Sequence, residues 1–351
     1  MRFDEKPVIN DGGDSLFLAT KVNIAMATSD LYSHLAFVTL KSLFINNVSI
    51  DEIVVFFIGD NLEEQSKTDL INLVQAYQRE IVFIDLPEEY SNYIGSNRNG
   101  KTVFSYCFLQ ELLPSSVDRV LLLEPDQIIT GSIASLYATD LSGYYIAATD
   151  DLQSALYKSK IGMSGDSPYV NCGVILFNLA KWREDNLTEI MKGVLKSGKH
   201  MFFYDVQDVI NYVTEGKAKV FPPRFNATTA IFVFDYKDMI RYRHPSTKCV
   251  RAEYDDAREH PTIVHFTKNQ IIQPRPWVRG CQHPYQDYYN ELRKGTPMDM
   301  EEPWNYKKGV LNNVAGLMYA KLPTRITASL LGIVHAYLYP ALLYKFIFRD
   351  R

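Results

Sequence analysis

A chain of 351 residues with 46% apolar composition has material for one large buried core or two ordinary ones. Its formal net charge of −4 excludes a general nucleic-acid binder, which needs a basic field to displace counterions from phosphate. Four dispersed cysteines, Cys107, Cys172, Cys249 and Cys281, form no C-x-x-C pair and no disulfide framework, so a reducing cytosol is expected.

The chain starts with MRFDEKPVINDGGD, which has neither a basic n-region nor an apolar h-region, and no signal peptide is expected. The N-x-[ST] matches at Asn47, Asn186 and Asn226 are accordingly expected to go unused. Val22–Ala27 reads as a strand, and helical periodicity follows through Leu35, Val38, Leu43 and Phe44. A second strand, Ile53–Ile58, ends at Gly59-Asp60-Asn61 and leads into a helix with Leu70, Leu73, Val74 and Tyr77 inward; Ile81–Ile84 is a third strand. A helix over Thr102–Leu113 stops at Pro114, and Val120–Leu123 is a fourth strand. Alternation of helices with continuous Val/Ile/Leu strands predicts a mostly parallel, Rossmann-like sheet with helices on both faces.

After Asp126 the order loosens. Tyr145–Thr149, Val174–Asn178, Ala218–Phe221 and Thr262–Phe266 read as strands, and Lys181–Leu195 as a helix. No linker rich in Pro, Gly or Ser interrupts this pattern, so one continuous domain is expected over residues 20–289, in two halves at 20–130 and 131–289.

RVLLLEPDQII places Glu124 and Asp126 directly after a buried strand, where open parallel sheets bind ligands. Pro125 cannot donate to a central ladder, so the strand ends there and the two acids can converge on one cation. A divalent metal so held neutralises a departing diphosphate without proton transfer, and oxygen ligands with one imidazole suit Mn²⁺ or Mg²⁺. A solvated acidic turn is the other reading of an isolated E-x-D. No G-x-G-x-x-G follows the first strand, which argues against a dinucleotide-dependent oxidoreductase.

Along the chain come, in order, A-T-S-D-L-Y-S-H-L, E-P-D, Y-V-N-C-G-V-I-L-F-N-L, V-Q-D-V-I-N, and I-V-H-F-T followed by P-R-P-W. This ordered set resembles the family-8 glycosyltransferases, in particular the bacterial branch that extends lipopolysaccharide, lipooligosaccharide or capsule. The resemblance implies a GT-A-type α/β fold and a retaining hexosyltransferase that uses a UDP-sugar, with contacts to base and ribose from Ala27, Ser29, Asp30 and Tyr32. Asn171 would meet the donor sugar, Gln207 would lie beside the anomeric carbon, His265 would join Glu124 and Asp126 as third metal ligand, and Arg275 would meet phosphate.

The chain departs from that pattern at Phe108, where an arginine is usual, and at Val206, where an aspartate is usual; Asp205, one residue earlier, is expected to point elsewhere on a helix. Lys268 stands near an expected glycine and could supply the missing charge. These departures leave as the alternative a catalytically impaired, nucleotide-sugar-binding partner of another glycosyltransferase. Gln207, a neutral amide, is a poor nucleophile, and the resemblance implies instead that the acceptor hydroxyl attacks from the face the phosphate leaves. Asp208, or Asp151, is the candidate general base.

From Pro303 onward seven Lys or Arg face one Asp, and Ile326–Tyr344 carries no charge. A helical, basic tail at 303–351 lying in the membrane interface is expected, with packing on the domain or spanning as the other readings. The expected setting is the cytoplasmic face of the inner membrane, with a lipid-linked saccharide as acceptor.

Overall fold

β1 (Lys21–Ser29) forms because its apolar run can be buried on both faces, and it pairs in parallel with β2 (Glu52–Asp60) through nine successive residues. The crossover between them is α1 (Asp30–Asn46); α2 (Glu64–Ala76) then leads to β3 (Glu80–Asp85), parallel to β2. The computed structural model describes residues 21–93, 101–197, 202–306 and 309–342. The N-terminal segment, the domain start expected at residue 20 and the tail beyond Leu342, with Lys345 and Arg349, lie outside them.

The segment expected as one helix over Thr102–Leu113 is broken: α3 (Lys101–Phe104), a 3-10 turn at Ser105–Phe108, and α4 (Leu109–Leu112). Tyr106, Cys107, Phe108 and Leu109 are consecutive and all buried, which a helix packed on one side cannot achieve. β4 (Arg119–Leu123) enters beside β1 in parallel, and β5 (Gln127–Ile129) follows after the E-P-D turn. α1 is keyed to that turn. The Thr39 hydroxyl lies 2.7 Å from Pro125 O and 2.8 Å from Gln127 O, and Ser42 Oγ accepts from Ile129 N at 2.9 Å.

After α5 (Ala134–Tyr137) come β6 (Ile146–Asp150), α6 (Ala155–Lys160) and β7 (Val170–Asn178). β7 runs antiparallel to both β4 and β6, while β8 (Ala218–Phe221) is parallel to β6. The sheet order β3-β2-β1-β4-β7-β6-β8 is therefore mixed and mostly parallel, as expected. The helix expected over Lys181–Leu195 is two, α7 (Leu179–Glu184) and α8 (Leu187–Ser197), parted at Asn186 with φ of 54°. That is left-handed backbone, which Asn tolerates and a continuing helix does not.

α9 (Val206–Val213) precedes β8, and β9 (Ala227–Thr228) follows it. Asp205 thus lies before the helix and not on it, at φ 45°, which corrects the expected placement. α10 (Thr229–Val233), α11 (Tyr236–Arg243) and α12 (Arg251–Glu259) lead to β10 (Ile263–His265), which sits between β5 and β9 in a second, three-stranded sheet. β5 and β9 are too short to show a period in sequence.

Packing continues past Tyr289. α13 (Gln286–Arg293) buries Tyr289 and Leu292 with Phe266, Trp277 and Met298, and Trp304 N donates to Trp277 O. α14 (Val310–Lys321) packs on α15 (Thr324–Ile333), which lies against α11, and a π-helical turn spans Val334–Leu338. No helix of the described residues is long and apolar enough to cross a membrane. Asn47 and Asn226 are fully buried, so neither of those N-x-[ST] matches can carry a glycan.

Candidate active site

Strand ends build the centre. β4 stops at Pro125, but Glu124 N still donates to Gly173 O of β7 at 3.1 Å, and Phe266 N, just past β10, donates to Asp126 O at 3.0 Å. Two sheets thereby clamp the E-P-D turn, and β10 delivers His265 against it. His265 Nε2 lies 3.2 Å from Glu124 Oε2 and 3.1 Å from Asp126 Oδ1. Ligand atoms of all three residues fall within 4.8 Å of one another, a spacing that can hold a metal ion.

The histidine tautomer follows from its neighbours. Gly173 N donates to Asn171 Oδ1 at 2.9 Å, and Asn226 Nδ2 donates to the same oxygen at 2.8 Å. Asn226 Oδ1 therefore faces His265 Nδ1, at 3.0 Å, and must accept from it. In the neutral ring this leaves the Nε2 lone pair between the two carboxylates, the arrangement by which outer-shell partners prepare a metal ligand. Without a cation, burial opposes charge on the ring, but Asp126 and Glu124 outweigh it and raise its pKa to about 10. Burial likewise works against the Asp126 carboxylate, yet His265 and then Arg275 hold its pKa below the usual value.

Gly173 is required by space. A Cβ there would lie 2.2 Å from His265 Cε1 and 2.6 Å from its Nδ1. Gln127, fully buried, donates to Gly173 O at 2.7 Å and fixes the other side of the strand.

A cleft of about 420 Å³ adjoins the triad, lined by Asn171, Gln207, Lys268 and Arg275 among the expected residues, together with Asp151, Arg243 and Tyr306. Arg275 Nη2 lies 3.5 Å from Asp126 Oδ2, while its Nε is buried with no partner among the described residues. Burial and the neighbouring Arg275 lower the Lys268 pKa. Gln207 Oε1 accepts from Cys172 N at 3.1 Å, and its Nε2 lies 3.2 Å from the Tyr169 hydroxyl.

The expected nucleotide residues stand apart from this cleft. Ala27, Ser29, Asp30 and Tyr32 lie at the end of β1 and the first turn of α1; Asp30 Oδ1 accepts from Glu63 N at 3.0 Å, and Tyr32 packs edge-on to Trp304. Continuing the β1–β4 register brings Ala27 level with Glu124, so the two groups meet at the carboxyl ends of neighbouring central strands.

Asp208 does not face the cleft. It is 0% exposed, and its oxygens accept from the Tyr169 hydroxyl at 2.5 Å, the Tyr157 hydroxyl at 2.8 Å, and the backbone N of Phe203 and Tyr204 at 2.5 and 2.8 Å. Burial pushes its pKa up to about 6 despite those donors. A carboxylate so occupied anchors the start of α9; it has no lone pair left for an acceptor hydroxyl. Phe108 is buried, stacked on Tyr90 at 4.2 Å, and Val206 is buried in the same cluster, so neither position reaches the cleft.

Sequence motifs missed Asn226, Gln127 and Arg243. The first sat inside an apparent glycosylation match, and the other two stand in no recognisable pattern; only the fold brings them to the centre.

In the comparisons with known proteins, residues 23–279 match the model of glycosyl transferase family 8. Among curated proteins, the chain is 24% identical over 272 residues to General stress protein A of Bacillus subtilis (strain 168), covering 76% of this chain and 91% of that one. It is 22% identical over 291 residues to Lipopolysaccharide 1,2-glucosyltransferase of Escherichia coli (strain K12), covering 82% and 81% respectively. Among solved structures, galactosyltransferase LgtC with donor and acceptor sugar analogues superposes with a TM-score of 0.67 at 24% identity, covering 79% of this chain and 96% of that one. The bifunctional glycosyltransferase WbbM gives 0.63 at 16% identity, covering 82% and 52%. The mixed sheet flanked by helices is the GT-A fold, and the chain belongs to glycosyl transferase family 8.

Proposed function

We propose that the chain is a retaining glycosyltransferase that moves a sugar, most simply a hexose, from a UDP-sugar to a saccharide acceptor of the bacterial cell surface. The observation that carries this reading is the triad of Glu124, Asp126 and a His265 whose Nε2 lone pair is directed between two carboxylates by Asn226. Mn²⁺ or Mg²⁺ held there would neutralise charge on the leaving diphosphate. Arg275, whose Nε has no partner among the described residues, and Lys268 supply further positive charge beside the triad. Asn171 and Gln207 line the cleft where the sugar would sit, with the Gln207 amide as a dipole beside the anomeric carbon and not a nucleophile. Asp208 is assigned an anchoring role, which leaves the departing phosphate oxygen, or Asp151, to accept the acceptor's proton. Ala27, Ser29, Asp30 and Tyr32 are assigned to uridine.

The similarity to a lipopolysaccharide glucosyltransferase supports a surface-glycan acceptor. We divide the chain into a catalytic domain at 20–289 and a tail at 303–351 that rests on the cytoplasmic face of the membrane. Exposed Leu330, Ile333, Tyr337 and Leu338 beside exposed Lys321 and Arg325 support that contact with anionic lipid.

Release of UDP from a panel of UDP-sugars, with and without Mn²⁺, tests this reading in the wild type and Asp126→Ala. Metal-dependent release by the wild type alone is expected. UDP binding without release from any donor would favour the impaired binding partner, whose supporting features are Phe108 and Val206 in place of the usual arginine and aspartate.

A further inference from the structure

The C-terminal helices reach the cleft as well as covering the domain. His335, on the turn Val334–Leu338, lines the same cleft as Gln207 and Asn171. From it a continuous polar series runs to the centre. Arg243 Nη1 lies 3.2 Å from His335 Nε2, and Arg243 Nη2 lies 3.2 Å from Asp151 Oδ1. Gln207 Nε2 donates to Asp151 Oδ2 at 3.4 Å, and Gln207 Oε1 accepts from Cys172 N, the residue before Gly173.

Each link has one chemically allowed sense. A guanidinium has only donors, so His335 Nε2 accepts and the ring is neutral; burial, reinforced by Arg243, keeps it so by pushing its pKa down to about 3. The Arg243 and Asp151 side chains are 14% and 11% exposed, so the pair is largely desolvated and its geometry matters. The tail is placed independently of this series. A Cβ at Gly332 would lie 2.0 Å from Arg241 O, and Ser154 Oγ donates to Ala336 O at 2.8 Å. His335 is thus presented to Arg243 by backbone packing on α11 and α6, not by its own hydrogen bond.

Resting on the reading of the cleft as the transfer site, we infer that His335 is a positioning residue: through Arg243 and Asp151 it fixes the Gln207 amide, which makes the C-terminal tail a working part of the centre.

Steady-state UDP release by the full chain, with UDP affinity and thermal melting alongside, compares wild type with His335→Leu and His335→Gln. Leu fills similar space without an acceptor, whereas the Gln amide oxygen can accept from Arg243. Because small misplacements of reacting groups are costly, kcat in His335→Leu is expected to fall on the order of tenfold to a hundredfold, with UDP affinity unchanged within about twofold. His335→Gln is expected to recover most of that loss. A folded His335→Leu with wild-type kcat would overturn the inference. If the wild type releases no UDP, the functional reading fails separately, and hydrogen exchange at residues 149–153 and 205–209 decides the positioning role. Faster exchange in His335→Leu but not in His335→Gln is expected; identical exchange in all three overturns it.

Discussion

His265 has one nitrogen facing two carboxylates, and that nitrogen can carry a proton or meet a metal, but not both. In the metal-free protein its pKa, raised from 6.5 to about 10, means the protonated ring stabilises the fold fully below the lower value. That contribution is lost as pH rises through the upper one. Metal binding must displace this proton, so calorimetry of Mn²⁺ binding near neutral pH, repeated in buffers of different ionisation enthalpy, is expected to show release of about one proton per ion. Affinity should fall as pH is lowered. Asn226→Ala removes the acceptor that fixes the tautomer and is expected to weaken Mn²⁺ binding about tenfold to a hundredfold, as losses of outer-shell partners do. Gly173→Ala forces a methyl into the imidazole; a thermal melt should show destabilisation of about 1–3 kcal/mol, together with loss of metal-stimulated UDP release. Glu124 and Asp126 were legible in sequence because a buried strand ends at a proline between them. Asn226 and Gln127 were not, since amides act here through positions that the second sheet creates.

Helices carried the least reliable sequence signal. One-sided periodicity did not foresee the break at Asn186 or the 3-10 turn at Ser105–Phe108, where burial on all sides replaced a single apolar stripe. In α1 the polar Thr39 and Ser42 would count against a buried helix, yet they hold the turn that carries the acids. The tail shows a similar duality, with one face packed on α11 and another bearing Leu330 at 45% and Ile333 at 47% exposure. Replacing both with Glu is expected to abolish sedimentation with anionic liposomes while leaving the melting temperature nearly unchanged, because those side chains bury little in the folded chain. Undiminished liposome binding would remove the membrane assignment.

Across the whole molecule, the parallel half was readable strand by strand, from β1 to β4, because each is a continuous apolar run between turn signals. β7 was read as a strand over Val174–Asn178, but its antiparallel pairing was not, nor were the short β5 and β9, as these pairings are set by long-range register and not by local pattern. Yet those pairings bring Gly173, His265 and the E-P-D turn to one point, so the least legible part of the topology assembles the centre. What the molecule then offers is a carboxylate–histidine cluster able to hold a cation at the carboxyl ends of central strands, with the residues proposed for uridine on one side and the cleft proposed for the sugar on the other. UDP binding measured by calorimetry, with and without Mn²⁺, in the wild type and Asp126→Ala tests that arrangement most directly. If the triad holds a metal against the diphosphate, Mn²⁺ raises wild-type affinity at least about tenfold, as a shared charged ligand should, and leaves Asp126→Ala unaffected. Equal UDP affinity with and without metal in the wild type would contradict it.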